Sequence, residues 1–299
     1  MPSDHSKTVC RNKQRGRLFH DRDYHVHLGG AIPYWLIAQW IDNDQLSTDD
    51  DIFDLVAASK CGHAPIIKVS DAIKKYRRRD DDRTPISKLL FLSTYNNPKY
   101  TSLPTFLTMY RAYSKRHLLR EYAQTIARGE YIHTHADVRV SLPVPNEHSN
   151  DITSKESPFE YAIRAMEEMV HFQNSLLPTQ RLFITIPRQT FSIHKNKDYF
   201  DAFVEILSKS ITESDCKPTS LPMTEKQQPA FDFAGQPLSV TQTIELLAKL
   251  RDTFPRAFIC YHHGEVCPGI PFNDRVKDTL DLLPYVNRIG HRLCLGLAV

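Results

Sequence analysis

The stretch DYHVHLGG, residues 23–30, sets two histidines one residue apart in a short apolar run and follows them with two of the chain's 10 glycines. The run is β-compatible and reads as a strand over residues 24–28. Side chains alternate across a strand, so His25 and His27 share one face. At a strand end, two such imidazoles can bind one divalent ion, at about 2.0–2.1 Å each for zinc. Gly29 and Gly30 then permit a sharp turn and leave room for a ligand beside the ion. Two structural histidines in a turn would produce the same short pattern, so its meaning depends on what the rest of the chain brings to it.

Outward from this stretch the chain alternates in type. AIPYWLIAQWI (31–41) has helical spacing. Residues 102–129 are long and amphipathic, reading as one or two helices ending at Gly129. A strand is expected over 130–142, a helix over 158–176, a strand over 181–187 and a helix over 198–211. The pattern repeats with a strand at 230–235, a Ser-capped helix at 239–254, a strand at 257–263, a helix at 276–283 and a strand at 287–291. Strands alternating with helices imply parallel βαβ units. Their near-continuous apolar runs suit strands covered on both faces. No GxGxxG or GxxxxGK[ST] follows a strand, which argues against a nucleotide-binding open sheet. The expected fold is α/β: a (β/α)₈ TIM-like barrel with insertions, stopping after about six strands.

Composition agrees with a folded chain. The 299 residues are 41% hydrophobic and 24% charged, with 15 Phe and 13 Tyr, too aromatic for a disordered chain. Residues 1–20 read as a basic arm, and 21–299 as one barrel domain with a surface insertion at about 43–102. A net charge of +3 does not imply nucleic acid, and no aromatic-basic interleaving supports it. The six cysteines form no CxxC pair, which suits reduced thiols in a cytoplasmic protein. No run approaches the roughly 20 apolar residues of a membrane span, and no secretory signal is visible.

In a parallel barrel, reactive groups gather at the C-terminal strand ends. CYHHGEV places His262 at one such end, with Glu265 three residues on as a proton donor or acceptor. NRIGH puts His291 at another. FDFAGQP turns at Gly235, where an exposed backbone N–H can approach a ligand closely.

HVHLGGA, FDFAGQP, HHGEV and RIGH, in that order, resemble the HxHLDGA, DLAG, HAGE and LGH motifs of adenosine and AMP deaminases, members of the metal-dependent hydrolase superfamily. SLPTFLTMYRAY (102–113) and ADVRVS (136–141) are similar to that family's lid helix and its EVRxSP strand. The resemblance spans about residues 22–291. It implies one Zn2+ held by His25, His27 and His262. It also implies Glu265 as the carboxyl that protonates purine N1, and His291 as the histidine that orients the attacking water. Gly235 would be a backbone donor to purine N3, and Leu103, Phe106 and Tyr110 an apolar lid. The implied ligand is a purine nucleoside or nucleotide, and the implied reaction is hydrolytic deamination with loss of ammonia.

The chain departs from the pattern in three places. Gly29 stands where the family has an acidic residue for the ribose 5′-hydroxyl, which suits a 5′-phosphorylated substrate. Lys74, Lys75, Arg77, Arg78 and Arg79 could reach phosphates from the insertion, or form a solvated surface run paired to Asp80–Asp82. HLGG and the insertions are similar to larger bacterial relatives that deaminate adenine nucleotides, including the deaminase of RNA-editing-type antiphage systems, which implies a homo-oligomer or partner chain. Finally, the family's last zinc ligand is an Asp on the eighth strand, and the residues after His291, RLCLGLAV, contain no carboxylate. The expectation is a split or longer chain, with a catalytically incomplete scaffold, or a metal hydrolase acting on another substrate, as the alternative.

Overall fold

Short runs of three to seven residues, which cannot satisfy their backbone alone, become the strands of one sheet. A computed structural model describes residues 22–32, 36, 39, 40, 43, 45, 115–129, 132–146, 155–212, 228–235, 240–263 and 272–290. Within these, six strands run β1 Arg22–His27, β2 His135–Ser141, β3 Arg181–Pro187, β4 Ala230–Ala234, β5 Phe258–His262 and β6 Arg288–Gly290. They lie side by side in chain order, and every neighbouring pair is parallel. The helices between them are α1 Arg116–Glu121, α2 Ala123–Ala127, α3 Pro158–Ser175, α4 Lys197–Thr212, α5 Ile244–Thr253 and α6 Phe272–Leu282. Leu36, Gln39 and Trp40 are helical, inside the span where a helix is expected. No helix among the described residues is long and apolar enough to cross a membrane.

Local signals set the helix boundaries. Ser157 accepts from the backbone N–H of Glu160, the Glu160 carboxylate accepts from the backbone N–H of Ser157, and Pro158 follows at the first helical position. This capping box satisfies two donors that the helix itself leaves unpaired. The helix expected over 239–254 behaves differently. Val240–Gln242 form a 3-10 turn, and α5 starts at Ile244 with Thr243 as its N-cap. The Thr243 hydroxyl bonds back to Val240 O at 3.2 Å, which tightens this entry turn. Leu28–Ala31 also form a 3-10 turn. Gly29 and Gly30 therefore change the chain's direction with ordinary right-handed backbone, not with the special freedom of glycine.

The two faces of the sheet have different chemistry. Val138, Val140, Ile184, Ile186, Phe231, Phe233, Ile259 and Tyr261 join one core with Tyr161, Phe172, Phe200, Phe203, Leu246 and Leu250 of the covering helices. Truncating one of these buried aromatics to Ala costs about 3–5 kcal/mol. The alternate residues point the other way. They include a small apolar group of Phe183, Ala230 and Cys260, and the buried polar residues Arg139, Thr185, Asp232 and His262.

That second face is the inside of a curve. Adjacent strands stand about 4.8 Å apart, so in a flat sheet β1 and β6 would be roughly 24 Å from each other. Yet Arg288 on β6 reaches His25 on β1 at 3.3 Å, and the rings of His25 and His262 on β5 have centroids 4.6 Å apart. The parallel sheet is thus strongly curled, and its polar face lines the concavity.

Candidate metal centre

The curl brings four side chains from three strands to one point. His25 and His27 come from the end of β1, Asp232 from the middle of β4 and His262 from the last position of β5. One ligand atom from each lies within 4.8 Å of all the others. Asp232 and His262 are buried, and His25 and His27 are half-buried. The ring centroids of the three histidines are 4.6, 5.1 and 5.8 Å apart.

Two of the spacings match what a cation requires. Ligand bonds of about 2.0–2.1 Å in a tetrahedron place neighbouring ligand atoms about 3.3 Å apart. Nε2 of His25 and Nε2 of His27 are 3.2 Å apart, and Nε2 of His262 and Oδ1 of Asp232 are also 3.2 Å apart. Oδ2 of Asp232 lies 3.2 Å from Nε of Arg139. Neither carboxylate oxygen completes a well-aligned hydrogen bond among the described residues. His25 with His27, and Asp232 with His262, are in contact across the shared concavity, and a cation entering there would replace these contacts.

Electrostatics prepares these groups to bind a cation. Burial, and then the positive field of Arg139, push His25 down to about 2, so its ring is neutral at physiological pH. A neutral imidazole is the form that ligates metal. Burial opposes charge on Asp232, but His262 and Arg139 outweigh it and hold the carboxyl well below the usual carboxylate range. Three imidazole nitrogens and one carboxylate oxygen suit zinc, and also the neighbouring first-row divalent ions. With a buried carboxylate and a ring whose protonation is suppressed, the residues fit such an ion.

The structure brings together His25, His27 and His262, the three histidines singled out in the sequence. Their motifs lie more than two hundred residues apart, and only the curl makes them neighbours. His263, next in the chain, sits 6.5 Å from the ring of Tyr261 instead, consistent with strand alternation. Gly29 is buried in the 3-10 turn just after His27. Gly235 follows β4 directly with φ of 102°, a conformation that favours glycine. Glu265, His291, Leu103, Phe106 and Tyr110 lie outside the described residues, as do the basic run 74–79, the N-terminal arm and nearly all of the insertion.

Asp232 is the residue that the sequence reading passed over. A carboxylate stands beside the three histidines in FDFAG, three residues before the glycine that drew attention. A signal was present. An aspartate in the centre of an otherwise apolar strand must be buried, and a buried carboxylate needs a cation or a strong donor. ADVRVS carries the matching anomaly, an arginine in an apolar strand.

Compared with models of known protein families the chain matches none, and no curated protein matches it significantly.

Proposed function

We propose that this chain is a zinc-dependent hydrolase that removes the exocyclic amine of an adenine nucleoside or nucleotide, built on a (β/α)₈-type barrel to which the six parallel strands belong. One observation carries the reading. The side chains of HVHLGGA, FDFAG and HHGEV, three motifs resembling those of adenosine deaminases, converge on a single point of the concave face with the donor set of a divalent ion.

When bound, the ion would supply a water acidified toward a pKa of about 7 as the nucleophile for the base. The chain's own residues do the rest. His25, His27, His262 and Asp232 hold the ion, and Arg139 compensates the carboxylate charge beneath it. Gly235 is the candidate backbone donor to the purine ring. Glu265 delivers a proton to purine N1 as negative charge develops there, and His291 orients the attacking water and takes its proton. Leu103, Phe106 and Tyr110 are the candidate apolar lid residues, by their likeness to the deaminase motif. A glycine at position 29 leaves the ribose 5′ side without a carboxylate, which favours a 5′-phosphorylated substrate, with Lys74–Arg79 as its basic complement.

The test is direct. The chain is loaded with zinc and incubated separately with adenosine, AMP and ATP, while the loss of adenine absorbance and the release of ammonia are followed. Deamination of at least one is expected, and Glu265→Gln should keep the metal but lose turnover. A zinc-loaded protein inert toward all three would end the deaminase reading.

A further inference from the structure

Asp232 does not stand alone at the floor of the cluster. Its Oδ2 faces Nε of Arg139 at 3.2 Å, while its Oδ1 faces His262 at 3.2 Å. The side chains of Arg139 and Asp232 are both fully excluded from solvent. The guanidinium is itself held from two further directions. Its NH1 donates to the carbonyl of Asp137 at 3.1 Å, and its central carbon lies 4.8 Å from the centre of the Phe183 ring. Phe183 is the register partner of Arg139 on the next strand. Strand pairing therefore fixes the ring, the ring and the backbone carbonyl fix the guanidinium, and the guanidinium reaches the carboxylate.

A carboxylate beside a divalent ion binds through one oxygen or through both, and the second oxygen consumes coordination capacity that a water or substrate atom otherwise fills. An arginine on one oxygen decides between the two modes. A buried ion pair is also a poor way to gain stability, because desolvation offsets most of the attraction. Its presence directly under the ligand cluster points to a task there.

We propose that Arg139 is a positioning residue that holds Oδ2 of Asp232 and commits this carboxylate to the metal through Oδ1 alone. The assignment rests on the metal-site reading above. It does not depend on which substrate the site takes. A lysine at this position would keep the charge but lose the planar fork that fixes a carboxylate's orientation.

The experiment uses the full chain, stripped with a chelator and reloaded with Co2+. The d–d absorption of cobalt weakens as its coordination number rises, and X-ray absorption counts its oxygen and nitrogen neighbours. Thermal melting followed by circular dichroism checks the fold. Affinity alone would not discriminate, because losing Arg139 also removes a charge that repels the cation. In Arg139→Ala the d–d bands should lose intensity and the neighbour count should rise by an oxygen. Millimolar guanidinium should restore both, whereas urea, its neutral counterpart, should not. If Arg139→Ala does not fold, Arg139→Lys serves in its place, and weakened d–d bands are expected there too. A folded variant with wild-type cobalt spectra overturns the assignment, and so does rescue by urea equal to rescue by guanidinium. A wild-type chain that takes up no cobalt overturns the metal-site reading, and this assignment with it. Cobalt bound with no deamination of any adenine substrate counts against the proposed reaction only.

Discussion

Nδ1 of His25 lies 3.3 Å from the guanidinium of Arg288, a pair 263 residues apart that joins the first strand to the sixth. Arginine only donates, so Nδ1 of His25 accepts, and the neutral ring carries its proton on Nε2. That nitrogen faces Nε2 of His27 at 3.2 Å. A cation entering between the two rings must displace this proton, and Arg288 opposes it twice, by favouring the wrong tautomer and by its own charge. Arg288→Ala should therefore bind zinc more tightly, by roughly tenfold if about 1.4 kcal/mol of opposition is relieved. Competition against a chromophoric chelator measures this, and an unchanged or weaker affinity would show that Arg288 does not set the state of His25.

The stability of the metal-free protein should depend on pH with a predictable sign. His25 is depressed to about 2 when folded, against about 6.5 when unfolded. Above about pH 6.5 neither state binds the proton, and this group contributes no slope. Below that, only the unfolded chain takes it up, so stability falls as pH falls, by at most about 1.4 kcal/mol per pH unit for one proton. Asp232, also depressed, adds a loss of the same sign below about pH 4. Urea midpoints measured with chelator present should decline from pH 7 to pH 5, and the decline should be shallower in His25→Asn. Parallel curves for the two proteins would remove His25 as the cause.

Gly235→Ala should destabilise the fold by about 1–3 kcal/mol, the usual cost of a sparsely populated backbone conformation. The residue has φ of 102°, and an added Cβ would lie 2.0 Å from Oε1 of Gln189. Gln189 is the far end of a flexible side chain and can move, whereas the backbone cannot. The double variant Gly235→Ala with Gln189→Ala should therefore recover only a minor part of the loss. Full recovery in thermal melts would assign the cost to steric overlap alone.

The thiol of Cys260 should be inert in the folded protein. Burial, followed by the negative field of Asp232, pushes it up to about 11, and the thiolate is the reactive form. Iodoacetamide at pH 7.5 followed by peptide mass spectrometry should show Cys260 unmodified in the native chain and modified in denaturant. Rapid native labelling would mean that the concave face opens freely to solvent.

Much of the fold is legible in the sequence because strands and helices leave local records. RLFITIP reads as a strand and is one, Arg181–Pro187. Ser157, Pro158 and Glu160 mark a helix start in any context. The candidate site was only partly legible. His25 and His27 announce themselves by sharing a strand face at a turn. Asp232 does not, because its meaning lies in Arg139 and His262, and both contacts depend on the register and bend of the sheet.

Sequence by itself determined which residues alternate to the polar face of each strand, because the period of two is a property of the extended backbone and needs no neighbour. Tertiary structure alone decided that the first, fourth and fifth strands aim their polar groups at one point. The curl of a sheet is set by twist and helix packing accumulated over six strands, and no single strand encodes it.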